Sequence, residues 1–291
     1  MSSPALQALV RPAAGSVRRM VAGPAAALAA VAVLVQISYP LLSGDALRFV
    51  TVAGVLLFTA ASVTDAAARW GARAAVGLVV VAGGGGLLAE TAGVHTGFPF
   101  GEYVYAGTLG PQLLGVPVLV PMAWTMMAYP CLLLGRRLAA VAGDRGVARR
   151  VRVALAGGLA LASWDLFLDP QMVQAGHWTW AHPTPALPGV PGIPLTNYAG
   201  WVLVAVLMVG LLDRVLPDPA PASAGAGEGV PAGLLAWTWL GSTVGNLVFF
   251  DRPWVAVYGG VVMGLFVGPY LLATLRRTGA ASAREPARAG R

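Results

Sequence analysis

The chain has 291 residues, of which 57% are hydrophobic and only 11% are charged, whereas roughly a quarter of the residues in a soluble domain carry charge. The formal net charge is +7, and every basic residue is an arginine. The single cysteine, Cys131, excludes an internal disulfide and a thiolate metal cluster. This composition excludes an ordinary soluble domain and indicates a membrane protein.

The apolar residues fall into eight runs, each long enough to cross roughly 30 Å of hydrocarbon as a helix. The first run exceeds the apolar core of a secretory signal peptide and has no convincing cleavage site, so we interpret it as a retained helix. The pattern predicts an all-α fold, a polytopic transmembrane bundle of about eight helices. The runs cover residues 21–42, 47–64, 74–94, 112–134, 151–168, 195–212, 231–250 and 254–275.

The arginines are distributed unevenly over the loops between these runs. With a cytoplasmic N-terminus, only Arg48 and Arg252 lie outside and the other 17 lie inside. This is the positive-inside pattern, so it predicts a multi-pass protein of the cell membrane with both termini cytoplasmic, and no nucleic-acid partner. We expect one transmembrane domain over 1–277, with a cytoplasmic linker at 217–230 and a disordered tail at 278–291.

Two outer loops, at about 95–111 and 169–194, contain no arginine and are rich in Gly, Pro, Trp, Tyr and His. Residues 101–106 read GEYVYA and residues 176–181 read GHWTWA. The shared pattern predicts an internal duplication of a helix–loop–helix unit. We expect both loops to fold inward as ordered lids, because Gly, Pro and aromatic residues suit packed backbone.

Further matches support the duplication. The repeat units, about 74–134 and 151–212, run in the same direction through the membrane, so they form a parallel repeat about an axis near the membrane normal. The loop offset of 75 residues also aligns Glu90 with Asp165. An offset of 77 residues aligns Gly115, Pro117 and Trp124 with Gly192, Pro194 and Trp201.

Three acidic residues lie in or at the ends of these spans, where ionisable groups are functional candidates. The repeat predicts that Glu90 and Asp165 face one cavity, and Asp169 lies on the same helix face as Asp165. Burial and mutual repulsion favour the neutral acid form of at least one of them. We therefore predict that Glu90, Asp165 and Asp169 are catalytic. The alternative is that they cap helices or accept hydrogen bonds from Trp and Tyr.

Aromatic side chains cluster at the same level. An interfacial aromatic belt would explain single residues, but their concentration in the matched loops favours a pocket that stabilises a cation. The histidines and Glu102 lack the spacing of a metal motif, so no metal is predicted. The glycine run 83–86 indicates helix packing rather than phosphate binding. The predicted substrate-binding residues are Trp164, Tyr103, Tyr105, Trp178, Trp180, Asn197, Trp201, His95, Glu102 and His177.

Two stretches resemble a known family. Residues 90–105 read ETAGVHTGFPFGEYVY, and residues 164–201 begin WDLFLDPQMV and end GIPLTNYAGW. Both are similar to the carotenoid biosynthesis membrane proteins that include carotenoid hydratases. The resemblance implies addition of water to a terminal alkene of a long acyclic or monocyclic carotenoid, giving a tertiary alcohol without a cofactor. The carotenoid would come from the lipid phase, and membrane lipids and other enzymes of the pathway would be its partners.

Two alternatives remain at this point. A carotenoid cyclase begins with the same protonation of an alkene but excludes water. A transporter or lipid carrier would also use repeats and intramembrane carboxylates. Transport needs a path open alternately to both faces, whereas all three carboxylates lie on one side.

Overall fold

The computed structural model describes residues 14–218 and 228–284. Its eight long helices confirm the predicted all-α bundle. They are α1 (Ala14–Ile37), α2 (Gly44–Trp70), α3 (Ala72–Thr96), α4 (Leu119–Val141), α5 (Gly146–Gln174), α6 (Leu195–Val215), α7 (Gly229–Val244) and α8 (Pro253–Arg284). Six short strands lie between them: β1 (Tyr103–Tyr105), β2 (Gln112–Leu113), β3 (Val116–Pro117), β4 (Trp178–Trp180), β5 (Ala186–Leu187) and β6 (Val190–Pro194).

Six of the eight helices are long and apolar enough to cross a membrane within the described part of the chain. The other two are α4 and α7. Helix α4 is the central helix, with most of its residues buried against its neighbours, and it carries Arg136 and Arg137 near its end. Helix α7 has 16 residues and continues as a π-helical segment, Gly245–Phe249. The chain is thus a multi-pass helical membrane protein.

Two of the differences between the predicted and observed boundaries bear on the loops and the acidic residues. Residues 112–118, expected at the start of a span, form the β2–β3 hairpin, because Leu114 and Gly115 adopt positive φ angles that end regular structure. Asp169, expected at the start of a loop, lies inside α5, which continues through Pro170 to Gln174.

The glycine run in α3 packs against α4, as predicted. A Cβ on Gly86 would lie 2.6 Å from the Trp124 ring, and one on Gly83 would lie 2.9 Å from the Thr125 hydroxyl. Residues 79–84 form a π-helical segment. The small residues therefore let α3 approach α4 closely enough to bring Glu90 beside Trp124.

The two predicted lids pair with each other. Strands β1 and β4 are antiparallel, with Val104 opposite Thr179 and Tyr103 opposite Trp180. Val104 and Thr179 are equivalent positions of the GEYVYA and GHWTWA segments, so the strand pair is nearly symmetric about them. This pairing agrees with a two-fold relation between the units α3–α4 and α5–α6.

The hairpins correct one detail of the repeat. Leu113 pairs with Val116 in β2–β3, and Leu187 pairs with Val190 in β5–β6. The structural equivalent of Gly115 is therefore Gly189 rather than Gly192. The sequence signal is the shared pattern PxLxGVP, at 111–117 and 185–191, and the longer strand β6 accounts for the three-residue difference.

The opposite end of the bundle, which we call the arginine end, is held by buried ion pairs. Arg136 Nε donates to Asp213 Oδ1 at 2.7 Å, and its guanidinium also donates to the carbonyl oxygens of Leu216 and Pro217, both at 2.8 Å. Arg149 contacts the second oxygen of Asp213 at 3.0 Å.

Most of the predicted linker, 219–227, and the end of the predicted tail, 285–291, lie outside the described residues.

Candidate active site

Glu90, near the end of α3, accepts hydrogen bonds at both carboxylate oxygens. The hydroxyl groups of Tyr103 and Tyr105 donate to Oε2 at 2.5 and 2.8 Å. Trp124 Nε1 donates to Oε1 at 3.0 Å. Three donors from β1 and α4 converge on one side chain that is 5% exposed. An ionised carboxylate, which only accepts hydrogen bonds, fits this environment.

The two aspartates of α5 share one amide group. Asn197 Nδ2, at the start of α6, donates to Asp165 Oδ2 at 2.9 Å and also to Asp169 Oδ2. Trp178 Nε1 donates to Asp169 Oδ1 at 3.1 Å. Asp165 Oδ1 is buried and has no hydrogen-bond partner among the described residues. Two adjacent carboxylates repel each other, so this pair is suited to holding one proton between them.

A small cavity of about 90 Å³ separates the two acidic groups. Glu90 lines one wall and Asp169 lines another, together with Asn197. Asp165 is fully buried and does not line the cavity. The structure thus pairs Glu90 with Asp169 at the cavity, whereas the duplication predicted Glu90 with Asp165. The reason is that Asp165 lies one helical turn earlier in α5, where its side chain is fully buried.

The cavity walls are aromatic. Trp124 and Trp201 stack with ring centroids 4.2 Å apart, and Trp164 meets Trp201 edge to face at 6.0 Å. Tyr103 and Trp180 lie 5.6 Å apart across the β1–β4 pair. Aromatic faces stabilise cations. Of the predicted site residues, the cavity brings together Glu90, Asp169, Trp164, Tyr103, Tyr105, Trp178, Trp180, Asn197 and Trp201.

The remaining predicted substrate-binding residues lie away from the cavity. His95 and Glu102 are exposed, and Glu102 faces His182 at 3.5 Å on the surface. His177 is buried, but its Nδ1 is 2.6 Å from the Thr108 hydroxyl and the ring does not line the cavity. Within the described ranges, no group of three or more His, Cys, Asp or Glu residues could hold a metal ion.

Burial determines the protonation states of Tyr103, Tyr105 and His177 in the loops. It raises the pKa of Tyr103 and of Tyr105, and the neighbouring Glu90 charge raises them further. Both phenols therefore stay protonated and remain donors to Glu90. Burial lowers the pKa of His177, and the positive charge of Arg48 lowers it further, which favours the neutral imidazole at pH 7.

Several cavity residues were not predicted from sequence. Leu168 and Met172 line the cavity from α5, and they follow Trp164 at successive intervals of four residues, which marks one helix face. Phe100 lines it from the loop after α3 and is 2% exposed. Its carbonyl oxygen accepts a hydrogen bond from Trp180 Nε1 at 2.9 Å, a role that no sequence pattern indicates.

The fold and site define a multi-pass helical membrane protein with a buried aromatic and acidic cavity. Residues 49–267 match the model of the carotenoid biosynthesis protein family, so the chain belongs to that family. It is also 36% identical over 125 residues to bisanhydrobacterioruberin hydratase of Haloarcula japonica. That match covers 43% of this chain and 40% of the relative. No solved structure matches the chain.

Proposed function

We propose that the protein is a carotenoid hydratase, a hydro-lyase that adds water to a terminal carbon–carbon double bond by acid catalysis and forms a tertiary alcohol. The family and the hydratase relative support carotenoid chemistry. The observation that carries the proposal is that two separately held acidic groups, Glu90 and Asp169, line one small aromatic cavity. Hydration of an alkene needs both an acid and a base near the same carbon atoms.

The hydrogen bonds support a division of roles. The Asp165–Asp169 pair holds the proton, and Asp169, which lines the cavity, delivers it to the less substituted alkene carbon. The positive charge then develops on the tertiary carbon, where the faces of Trp164, Trp178 and the Trp124–Trp201 stack stabilise it.

Water then attacks the tertiary carbon, and Glu90 accepts the proton that the water loses. Tyr103, Tyr105 and Trp124 hold the Glu90 carboxylate in place through their hydrogen bonds. The net reaction consumes one alkene and one water and forms one alcohol. The proton returns from Glu90 to the aspartate pair before the next turnover, so the reaction balances without a cofactor.

The uneven distribution of the arginines between the two ends of the bundle supports one orientation in the membrane. We propose that the end of the bundle that carries the six strands, which we call the loop end, faces the outside of the cell membrane. The arginine end and both termini then face the cytoplasm, in line with the positive-inside rule. A thiol scan tests this: in a Cys131→Ala background, Gln112→Cys should react with a membrane-impermeant maleimide in intact cells, and Val147→Cys only after lysis.

The activity test uses membranes that contain the wild-type protein and an acyclic carotenoid such as lycopene, incubated in water enriched in oxygen-18. A hydratase adds the mass of one labelled water to the pigment, whereas a cyclase leaves its mass unchanged. Glu90→Gln should reduce product formation by about 10² to 10⁴-fold. Asp45→Asn, an exposed acidic residue outside the cavity, is the control and should be unaffected. Unlabelled product of unchanged mass, or no product at all, would overturn the proposal.

A further inference from the structure

A second and much larger cavity, of about 840 Å³, lies beside the acidic cavity. We call it the α1–α7 groove, because the end of α1 and most of α7 form two of its walls, and α2, α4 and α5 complete its lining. Apolar side chains make up most of its lining. Neither the sequence patterns nor the acid–base mechanism accounts for this space.

The groove adjoins the acidic cavity. The same side chains line both spaces, so a single layer of side chains lies between them. The shared residues are Thr51, Val55, Met126, Trp164, Leu168 and Met172.

The outer rim of the groove is apolar and exposed. Leu41 is 78% exposed, Phe249 57% and Val244 52%, and all three line the groove. Within a membrane protein such a rim faces lipid rather than water. A hydrogen bond of 2.6 Å from Trp237 Nε1 to Gln36 Oε1 links α7 to α1 across the groove, so these two helices form a defined opening.

Two glycines, Gly54 and Gly233, line the groove. A Cβ on Gly54 would meet Gln36 Cγ at 3.4 Å, whereas a Cβ on Gly233 would meet nothing within 4 Å. A larger side chain at position 233 therefore has room to extend from α7 without striking a neighbouring residue.

We propose that the α1–α7 groove binds the linear polyene chain of the substrate and that only the reacting end of the molecule enters the acidic cavity. The inference rests on the proposed function and adds the site that holds the rest of the substrate. A long apolar chain fits because the groove is large, apolar and open on the lipid side, whereas the acidic cavity of about 90 Å³ has room for an end group and a water, whose share of liquid volume is about 30 Å³. Gly233 then determines how tightly the polyene chain of the substrate binds.

The test is a size series at one position. Purified Gly233→Ala, Gly233→Leu and Gly233→Phe variants are titrated with lycopene, and binding is followed by the quenching of tryptophan fluorescence. Affinity should fall as the side chain grows, by about tenfold or more for Gly233→Phe, which corresponds to at least 1.4 kcal/mol. Gly268→Phe in α8 is the control, because a Cβ there also meets nothing within 4 Å and the residue lies outside the groove lining.

Gel filtration of each variant establishes that it is folded, and the conservative Gly233→Ala variant keeps the series informative if Gly233→Phe does not fold. Unchanged lycopene affinity across the folded Gly233 variants would overturn the groove proposal, as would an equal loss in Gly268→Phe. Because binding is measured without turnover, a wild-type protein that binds lycopene in the groove but never hydrates it would contradict the proposed function alone.

Discussion

The indole rings of Trp124 and Trp201 stack with their centroids 4.2 Å apart and their planes 14° apart. Each tryptophan occupies the corresponding place in its repeat, near the start of α4 or α6. The stack therefore joins the two halves of the duplication at the wall of the acidic cavity. Trp124 Nε1 donates a hydrogen bond to Glu90, whereas no hydrogen bond joins Trp201 to an acidic group in the described part of the chain.

This asymmetry predicts the effect of Trp124→Phe. The substitution keeps an aromatic ring against Trp201 but removes the hydrogen bond to Glu90. A hydrogen bond to a charged group contributes about 1.5–3 kcal/mol, so hydration should slow by about 10- to 100-fold while the protein stays folded. The measurement is the rate of alcohol formation at saturating carotenoid. A wild-type rate would mean that this hydrogen bond does not position the proposed base.

We predict that the Asp-to-Asn substitution has unequal effects on the hydration rate at positions 165 and 169. Asp169→Asn removes the acid that lines the cavity, so hydration should fall by about 10² to 10⁴-fold. Asp165→Asn leaves Asp169 in place and should have a smaller effect on rate, but it should change the pH dependence of the reaction because the pair no longer shares a proton. Both variants are compared by pH–rate profiles. A larger loss in Asp165→Asn than in Asp169→Asn would contradict the assignment of Asp169 as the acid.

The close approach of α3 and α4 predicts a steric effect in the glycine run. Gly86→Ala places a Cβ 2.6 Å from Trp124, and overpacking of this kind costs about 1–3 kcal/mol. The variant should unfold at a lower temperature in detergent and lose activity, because Trp124 must move. Gly84→Ala is the matched control: a Cβ there meets nothing within 4 Å, so its melting temperature and activity should match those of the wild type.

The buried histidine predicts sensitivity to acid. Because the pKa of His177 is lowered in the folded protein, the unfolded chain binds a proton at a pH where the folded protein does not. Stability should therefore fall as the pH drops through the ordinary histidine value of about 6.5. Thermal unfolding at pH 7.5 and pH 5 measures this loss, which should be smaller in His177→Gln. An equal loss in both proteins would show that other groups cause it.

The sequence by itself determined the helical class, the two matched loops and most of the predicted residues that line the cavity. Its apolar runs are long enough to span a bilayer, and each such run must form a helix to satisfy its backbone in lipid. The GEYVYA and GHWTWA segments identified the two matched loops, whereas the pairing of their strands appeared only in the structure. Intramembrane carboxylates are rare enough to mark Glu90, Asp165 and Asp169 directly.

Only the tertiary structure decided which acids meet. Glu90 and Asp165 occupy equivalent positions in the sequence, but Asp169 rather than Asp165 lines the cavity with Glu90, because Asp165 is fully buried one helical turn earlier in α5. The α1–α7 groove could not be predicted from the sequence either. Helices outside the duplication form two of its walls, and the hydropathy pattern of their apolar faces is the same as that of a lipid-facing surface. A hydrophobic pattern records which residues avoid water. Which of those residues face a partner helix, a cavity or lipid depends on how the helices pack.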